Sequence, residues 1–259
     1  MTTIASAALA EYLSQLLDVP RHADYPHALN GLQVANRAPV HRIGAAVDLS
    51  QRTIAQAVDN NVNFLIVHHG LFWGGLQPLT GRLYERLRSL ITADIAVYSV
   101  HLPLDSSDVF GNSLLLAKRL GLVPNGQFAK YGERFVGVRG ESDLATADLV
   151  ATTTKFVAAH ESAVRTTEIR SGQRTRRWAI CSGAGASSDT LREAAADAID
   201  TLIVGEGPHH TAVEATELGI TVIYAGHYAT ETLGVQALAE HASTHYGIPW
   251  TFLAAPSGL

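Results

Sequence analysis

A weak internal repeat of strand, helix, strand, helix, strand constrains this chain more than any single motif does. The segment RIGAAVDLSQRTIAQAVDNNVNFLIVHH, starting at Arg42, lies beside RRWAICSGAGASSDTLREAAADAIDTLIVGE, starting at Arg176, and brings FLIVHH against TLIVGE. Further on, IAVYSVHLPLD pairs with ITVIYAGHYATE, so that His101 matches His227 and Asp105 matches Glu231. Apolar, β-rich runs that alternate with helical patterns mark an α/β protein with largely parallel strands. Two related lobes are therefore expected, with mostly parallel sheets flanked by helices. They are placed at 1–125 and 126–259, with a site in the cleft between them.

The expected strands are Ile43–Val47, Phe64–Val67 and Ile95–Val100 in the first half, and Trp178–Cys181, Leu202–Val204 and Ile220–Tyr224 in the second. Helices are expected over Thr53–Asn60, Leu83–Leu90, Thr190–Ala198 and Thr211–Leu218. From Pro124 to Gly172 the pattern breaks, and RFVGVRG with a Thr/Ala-rich helical stretch reads as a connection that adds strands. At the N-terminus, Ile4, Leu9, Leu13, Leu16 and Leu17 form the apolar stripe of an amphipathic helix. That stretch has no basic leader and is interrupted by Glu11, so neither a signal peptide nor a membrane span is expected.

Composition narrows the chemistry. A formal net charge of -5 gives no footprint for a nucleic-acid backbone, and the basic run Arg170 to Arg177 reads as a solvated face. The single cysteine, Cys181, excludes an intramolecular disulfide and any cysteine-cluster zinc site, and fits a reducing, cytoplasmic setting. Twelve histidines are the unusual number. Imidazole is the side chain that most often ligates metals at neutral pH.

Several of these histidines fall at expected strand ends beside acids. VHHG places His68 and His69 directly after an apolar run, where side chains project into a crevice beyond the carboxyl ends of the strands. Adjacent residues point different ways, so two neighbouring imidazoles suit two ions of a close pair better than one. HLPLD supplies Asp105 from a loop stiffened by Pro103, and a carboxylate can bridge two cations. AGHYATE adds His227 and, four residues later, Glu231, read as the first turn of a helix running to His245. Three imidazoles and two carboxylates suit zinc, iron, manganese or nickel rather than calcium. Hydrolysis is the reaction class that a two-metal site of this kind performs by default.

Glu206, in GEGPHH, is the candidate general acid/base, or alternatively an acceptor at a helix N-terminus. His101 is a proton carrier or a hydrogen-bonding partner of Asp105. His209 and His210 read as first-turn residues of a helix. His22, His27, His41, His160, His241 and His245 lack acidic partners in register and read as surface residues. GAGAS, Gly183 to Ser187, lacks the spacing of a dinucleotide or P-loop motif and reads as a tight turn. Phe72, Trp73 and Tyr228 could line a ring pocket or pack an interface.

As an ordered set, NGLQV, VHHGLFW, SVHLPLD, GNS, GE and AGHYATE resemble the NIF-three-like dinuclear-metal family, the GTP cyclohydrolase I type 2 homologues, in its short bacterial form. The resemblance spans nearly the whole chain. It implies a two-lobed α/β subunit, a homohexameric toroid of six copies assembled through trimers, and a pair of divalent metal ions. Its ligands fall on His68, His69, Asp105, His227 and Glu231. The expected activity is metal-dependent hydrolysis of a small nucleotide-like or phosphorylated substrate. The alternative is a non-catalytic metal-binding or regulatory hexameric ring. GTP cyclohydrolase I itself uses a Cys/Cys/His zinc centre, which one cysteine cannot build.

Overall fold

A computed structural model describes residues 4–258. The strands are β1 Gly31–Val34, β2 Ile43–Asp48, β3 Phe64–His69, β4 Ala96–Ser99, β5 Pro124–Tyr131, β6 Arg134–Ala145, β7 Arg165–Thr166, β8 Arg174–Cys181, β9 Thr201–Val204, β10 Thr221–Tyr224 and β11 Trp250–Phe252. The helices are α1 Ser6–Leu16, α2 Gln51–Asp59, α3 Gly81–Thr92, α4 Leu102–Asp105, α5 Asn112–Arg119, α6 Thr146–Ala158, α7 Ser188–Ala196, α8 His209–Glu217, α9 His227–Thr230 and α10 Thr232–Tyr246. Among the described residues no helix is long and apolar enough to cross a membrane.

The chain forms two compact units. One holds the described residues up to Leu104 together with Gly234–Ala255, and the other holds Asp105–Leu233 and the described residues from Pro256. The division therefore falls at Leu104 and again at Gly234, rather than near residue 125. The physical reason is strand pairing: β11 runs parallel to β2, with Trp250 opposite Ile43 and Phe252 opposite Ala45. The C-terminal segment thereby joins a sheet laid down two hundred residues earlier.

In the first unit the sheet order is β1-β4-β3-β2-β11, parallel throughout except for β1, which runs antiparallel to β4. Phe64, Leu65, Ile66 and Val67 of β3 are wholly buried, as a central parallel strand covered on both faces requires. Ile54 of α2, Leu90 of α3 and Leu253 pack against Leu65, Val67 and Val97 in one cluster.

In the second unit the order is β5-β6-β8-β9-β10-β7, and only β8, β9 and β10 are mutually parallel. The antiparallel part comes from the segment that breaks the repeat. β5 and β6 are joined by the two-residue turn Gly132-Glu133, whose Gly132 has φ of 58°, the conformation that lets a hairpin close this tightly. Bulky Trp178, Ile180, Ile203 and Ile223 fill one face, and Leu191, Leu202, Val204 and Val222 the other.

The repeat holds between the units. β2-α2-β3-α3-β4 and β8-α7-β9-α8-β10 follow the same order, and the equivalent helices start on the same cap. The Ser50 hydroxyl accepts from the Thr53 N–H, and the Ser187 hydroxyl accepts from the Thr190 N–H, each at 3.1 Å. The correspondence also extends to strands that the sequence does not flag: β1 against β4 and β7 against β10 are both antiparallel edges.

Candidate metal centre

In the first unit the apolar run of β3 carries straight into His68 and His69, so both histidines end a strand rather than starting a turn. A Cβ on the following Gly70 would sit 2.5 Å from Gln33 Oε1 and 2.6 Å from Ser99 Oγ, so a side chain there would displace the Gln33 amide that braces the loop. His101 follows β4. The candidate ligand nitrogens of His68, His69 and His101 all lie within 4.8 Å of one another.

Each of these rings is fixed through Nδ1. His68 Nδ1 is 2.9 Å from the carbonyl of Val100, His69 Nδ1 is 2.8 Å from Asp48 Oδ1, and His101 Nδ1 is 2.8 Å from Asp24 Oδ1. A carbonyl and a carboxylate only accept, so each Nδ1 donates and the neutral ring keeps its lone pair on Nε2. This is how proteins prepare imidazole for metal, with a carboxylate or carbonyl orienting the ring from behind. Burial opposes ionisation of Asp24, but the hydrogen bond and charge of His101, with Asn30 and the Tyr25 N–H, outweigh it and hold the carboxyl below its ordinary range.

NGLQV supplies further bracing. Asn30 Oδ1 accepts from the His101 N–H at 2.7 Å, its Nδ2 donates to Asp24 Oδ2, and Gln33 Oε1 accepts from the Leu71 N–H.

The second unit gathers carboxylates. HLPLD is a single helical turn, α4, rather than a loop, and it ends on Asp105. Asn112 Nδ2 donates to Asp105 Oδ1 at 2.9 Å, and Gly111 is required because a Cβ there would meet the Asp105 carbonyl oxygen at 2.5 Å. His227 opens α9, while Glu231 lies in the break between α9 and α10 rather than within the longer helix. His227 Nδ1 lies 2.7 Å from Glu206 Oε1, and its Nε2 lies 3.1 Å from Glu231 Oε2.

Burial works against a charge on His227, yet the hydrogen bonds and charges of Glu231 and then Glu206 hold it up to about 9. The ring lies between two acids. Once Nδ1 donates to Glu206, the Nε2 lone pair and a carboxylate oxygen face each other across 3.1 Å. That juxtaposition needs a proton or a metal ion between them. Cys181 reports the same field. Burial first, then the charges of Asp105, Glu231 and Glu193, push its thiol up to about 12.

The chain therefore holds histidine and glutamate groups that could bind a metal, with donors of the mixed nitrogen and oxygen kind that transition ions take. The fit rests on the imidazole tautomers and on the two acids held against His227.

Several supporting residues carry no local sequence signal. Asp24 and Asp48 sit 77 and 21 residues from the histidines they orient. The GAGAS turn packs against the donors: Gly183 (φ 63°) leaves room for Glu231, its N–H donates to Thr230 Oγ1, and its carbonyl accepts from the Glu206 N–H at 2.8 Å. His209 and His210 open α8, as expected. His241, read as a surface residue, is half-buried, with Nε2 2.7 Å from the Tyr12 hydroxyl. His22 is also half-buried. Trp73 packs edge-on to His69 and His101, and Tyr228 is buried.

Residues 5–255 match the family described as Duf34/NIF3 (NGG1p interacting factor 3). A protein of Deinococcus radiodurans named GTP cyclohydrolase 1 type 2 homolog is 36% identical over 253 residues, covering 97% of this chain and 93% of that one. One of Halobacterium salinarum with the same name is 38% identical, covering 97% and 99%. The crystal structure of TTHA1606 from Thermus thermophilus superposes with a TM-score of 0.84 at 34% identity, over 99% of this chain and all of that one. With its two α/β units, prepared imidazoles and a match running almost end to end, the chain belongs to the Duf34/NIF3 family.

Proposed function

We propose that this chain is a dinuclear divalent-metal protein that hydrolyses a small phosphorylated or nucleotide-like molecule, with His68, His69, Asp105, His227 and Glu231 as the ligands. The observation that carries the reading is the set of imidazoles, His227 among them, held at Nδ1 by oxygen acceptors so that Nε2 is the ligating atom. Divalent ions at such donors supply Lewis acidity toward water and toward phosphoryl or carbonyl oxygens.

The chain's own residues supply the proton handling. Glu206 is half-exposed at the edge of a cleft, and while Oε1 accepts from His227 the other carboxylate oxygen can take a proton from water and pass it to a leaving group. His101, gripped by Asp24 and Asn30, presents Nε2 on the side of the His68–His69 pair and is the second proton carrier. The ring of six copies that the family resemblance implies belongs to this proposal, and light scattering of the purified protein tests it.

The decisive experiment combines elemental analysis with activity. Protein purified without chelators is expected to hold two ions per chain and to turn over members of a panel of phosphoesters, nucleotides and cyclic amides in a metal-dependent way. Glu206→Gln should lose turnover while keeping its metal. Metal retained with no turnover of any panel member would replace the hydrolase with a metal-holding or regulatory ring. Absence of bound metal would refute the reading altogether.

A further inference from the structure

The first unit contains a cleft of about 420 Å³ beside His69, walled by Asp48 and His69 at the ends of β2 and β3, Trp73 and Gln77 from the loop that follows, and Arg82 and Arg86 from α3. The hydrolytic reading gives the two arginines no role. They are four residues apart, so they project from one face of α3 and repel each other, a mild cost that an unassisted helix surface avoids.

Among the described residues neither guanidinium has an ion-pair or hydrogen-bond partner. Glu85, the nearest acid in sequence, pairs instead with Arg88 at 2.7 Å. Asp48, the acid that also lines the cleft, already accepts from His69. The indole N–H of Trp73 is shielded from solvent and has no acceptor among the described residues.

A solvated arginine stripe would explain two exposed cations on a convex surface. It does not explain a concave wall with a half-buried Arg86 and no acid paired to either guanidinium. Guanidinium is a donor only, and the planar fork of arginine matches the paired oxygens of an oxyanion.

We propose that this cleft is an oxyanion subsite that takes the phosphoryl group of the substrate, with Arg82 and Arg86 clamping its oxygens and the Trp73 ring forming part of the wall. The assignment rests on the metal-dependent reading in that His69, a ligand there, forms one wall. It commits the substrate to carrying a phosphate monoester or diphosphate near the reacting bond. Arg82 and Arg86 then bind and orient it.

The test is calorimetric titration of the zinc-loaded protein with phenyl phosphate, repeated with benzoate and after chelator treatment. Each of Arg82→Gln and Arg86→Gln should weaken phenyl phosphate binding about tenfold, and the double variant about a hundredfold, with zinc content unchanged. Arg86→Lys should recover part of the loss, because the charge returns without the fork. Benzoate should bind more weakly than phenyl phosphate.

No binding by the parent protein, equal binding by the double variant, or tighter binding of benzoate would each overturn the subsite. The two readings fail separately. Zinc held together with arginine-independent phosphate binding sinks the subsite alone. Arginine-dependent binding that survives in a protein unable to hold zinc sinks the metal reading alone.

Discussion

Replacing Gly183 by Ala tests whether Glu231 is a metal ligand held in place by the turn behind it. Gly183 has φ of 63°, so any side chain costs about 1–2 kcal/mol in backbone conformation alone. Its new Cβ would also overlap Glu231 Oε1, well inside the 3.0 Å below which real Cβ atoms are essentially never found, with Cδ at 3.1 Å and His227 Nε2 at 3.3 Å. Glu231 is only 3% exposed and has no solvent to swing into, so the carboxylate must retreat by about 1 Å within a close-packed interior.

Misplacing a ligand at this scale is expected to weaken metal binding by 10- to 100-fold, the range seen when orienting partners are removed, or about 1.4–2.7 kcal/mol. Gly172→Ala is the control. It has φ of 72° and nothing within 4 Å of its Cβ, so it carries the backbone cost without the collision. Zinc titration and thermal melting should show a modest loss of stability in Gly172→Ala, about 2–8 °C, a larger one in Gly183→Ala, and a loss of zinc affinity only in Gly183→Ala. Unchanged zinc affinity in Gly183→Ala would refute the placement of Glu231 among the ligands.

Three further outcomes follow from particular contacts. Asp48→Asn removes the anion behind His69; because Asp48 is nearly half-exposed, melting should hardly change while zinc affinity falls about 10- to 100-fold, and equal losses in both would show a merely structural role. With its thiol pushed up to about 12, Cys181 keeps only about one thiolate in ten thousand at pH 8, so a disulfide reagent should label the denatured chain stoichiometrically and leave the folded protein unlabelled over the same minutes. Glu193 of α7 accepts from the N–H groups of Ala129 and Lys130 where β5 bends through a positive φ of 56° at Ala129. Glu193→Ala should therefore lower stability by about 1–3 kcal/mol in denaturant titrations, with Glu193→Gln recovering roughly half, and an effect within error for both would remove that clamp from the account.

The repeat, the parallel strands and the donor residues were legible in the sequence because each leaves a local mark. Buried parallel strands must be continuous apolar runs, helices start on Ser-x-x-Thr caps, and the candidate metal ligands end those runs. FLIVHH shows the apolar run and the histidines that end it within six residues of β3. What could not be read locally depends on pairings between distant segments. β11 has only three residues, and its place beside β2 follows from edge geometry, which is why the unit boundary moved from residue 125 to Leu104 and Gly234. The β5–β6 hairpin likewise makes the second sheet mixed where the repeat suggests mostly parallel strands.

The same distinction holds at the metal centre. Sequence alone determined that histidines and acids terminate equivalent strands of two related halves. Only the tertiary structure decided which groups stand behind them: Asp24 behind His101, Asp48 behind His69, Glu206 behind His227, and the GAGAS turn against Glu231. An orienting hydrogen bond needs one oxygen at one angle, and any acid or carbonyl that the fold delivers there will serve. Such partners therefore leave no spacing or composition to find until the chain has folded.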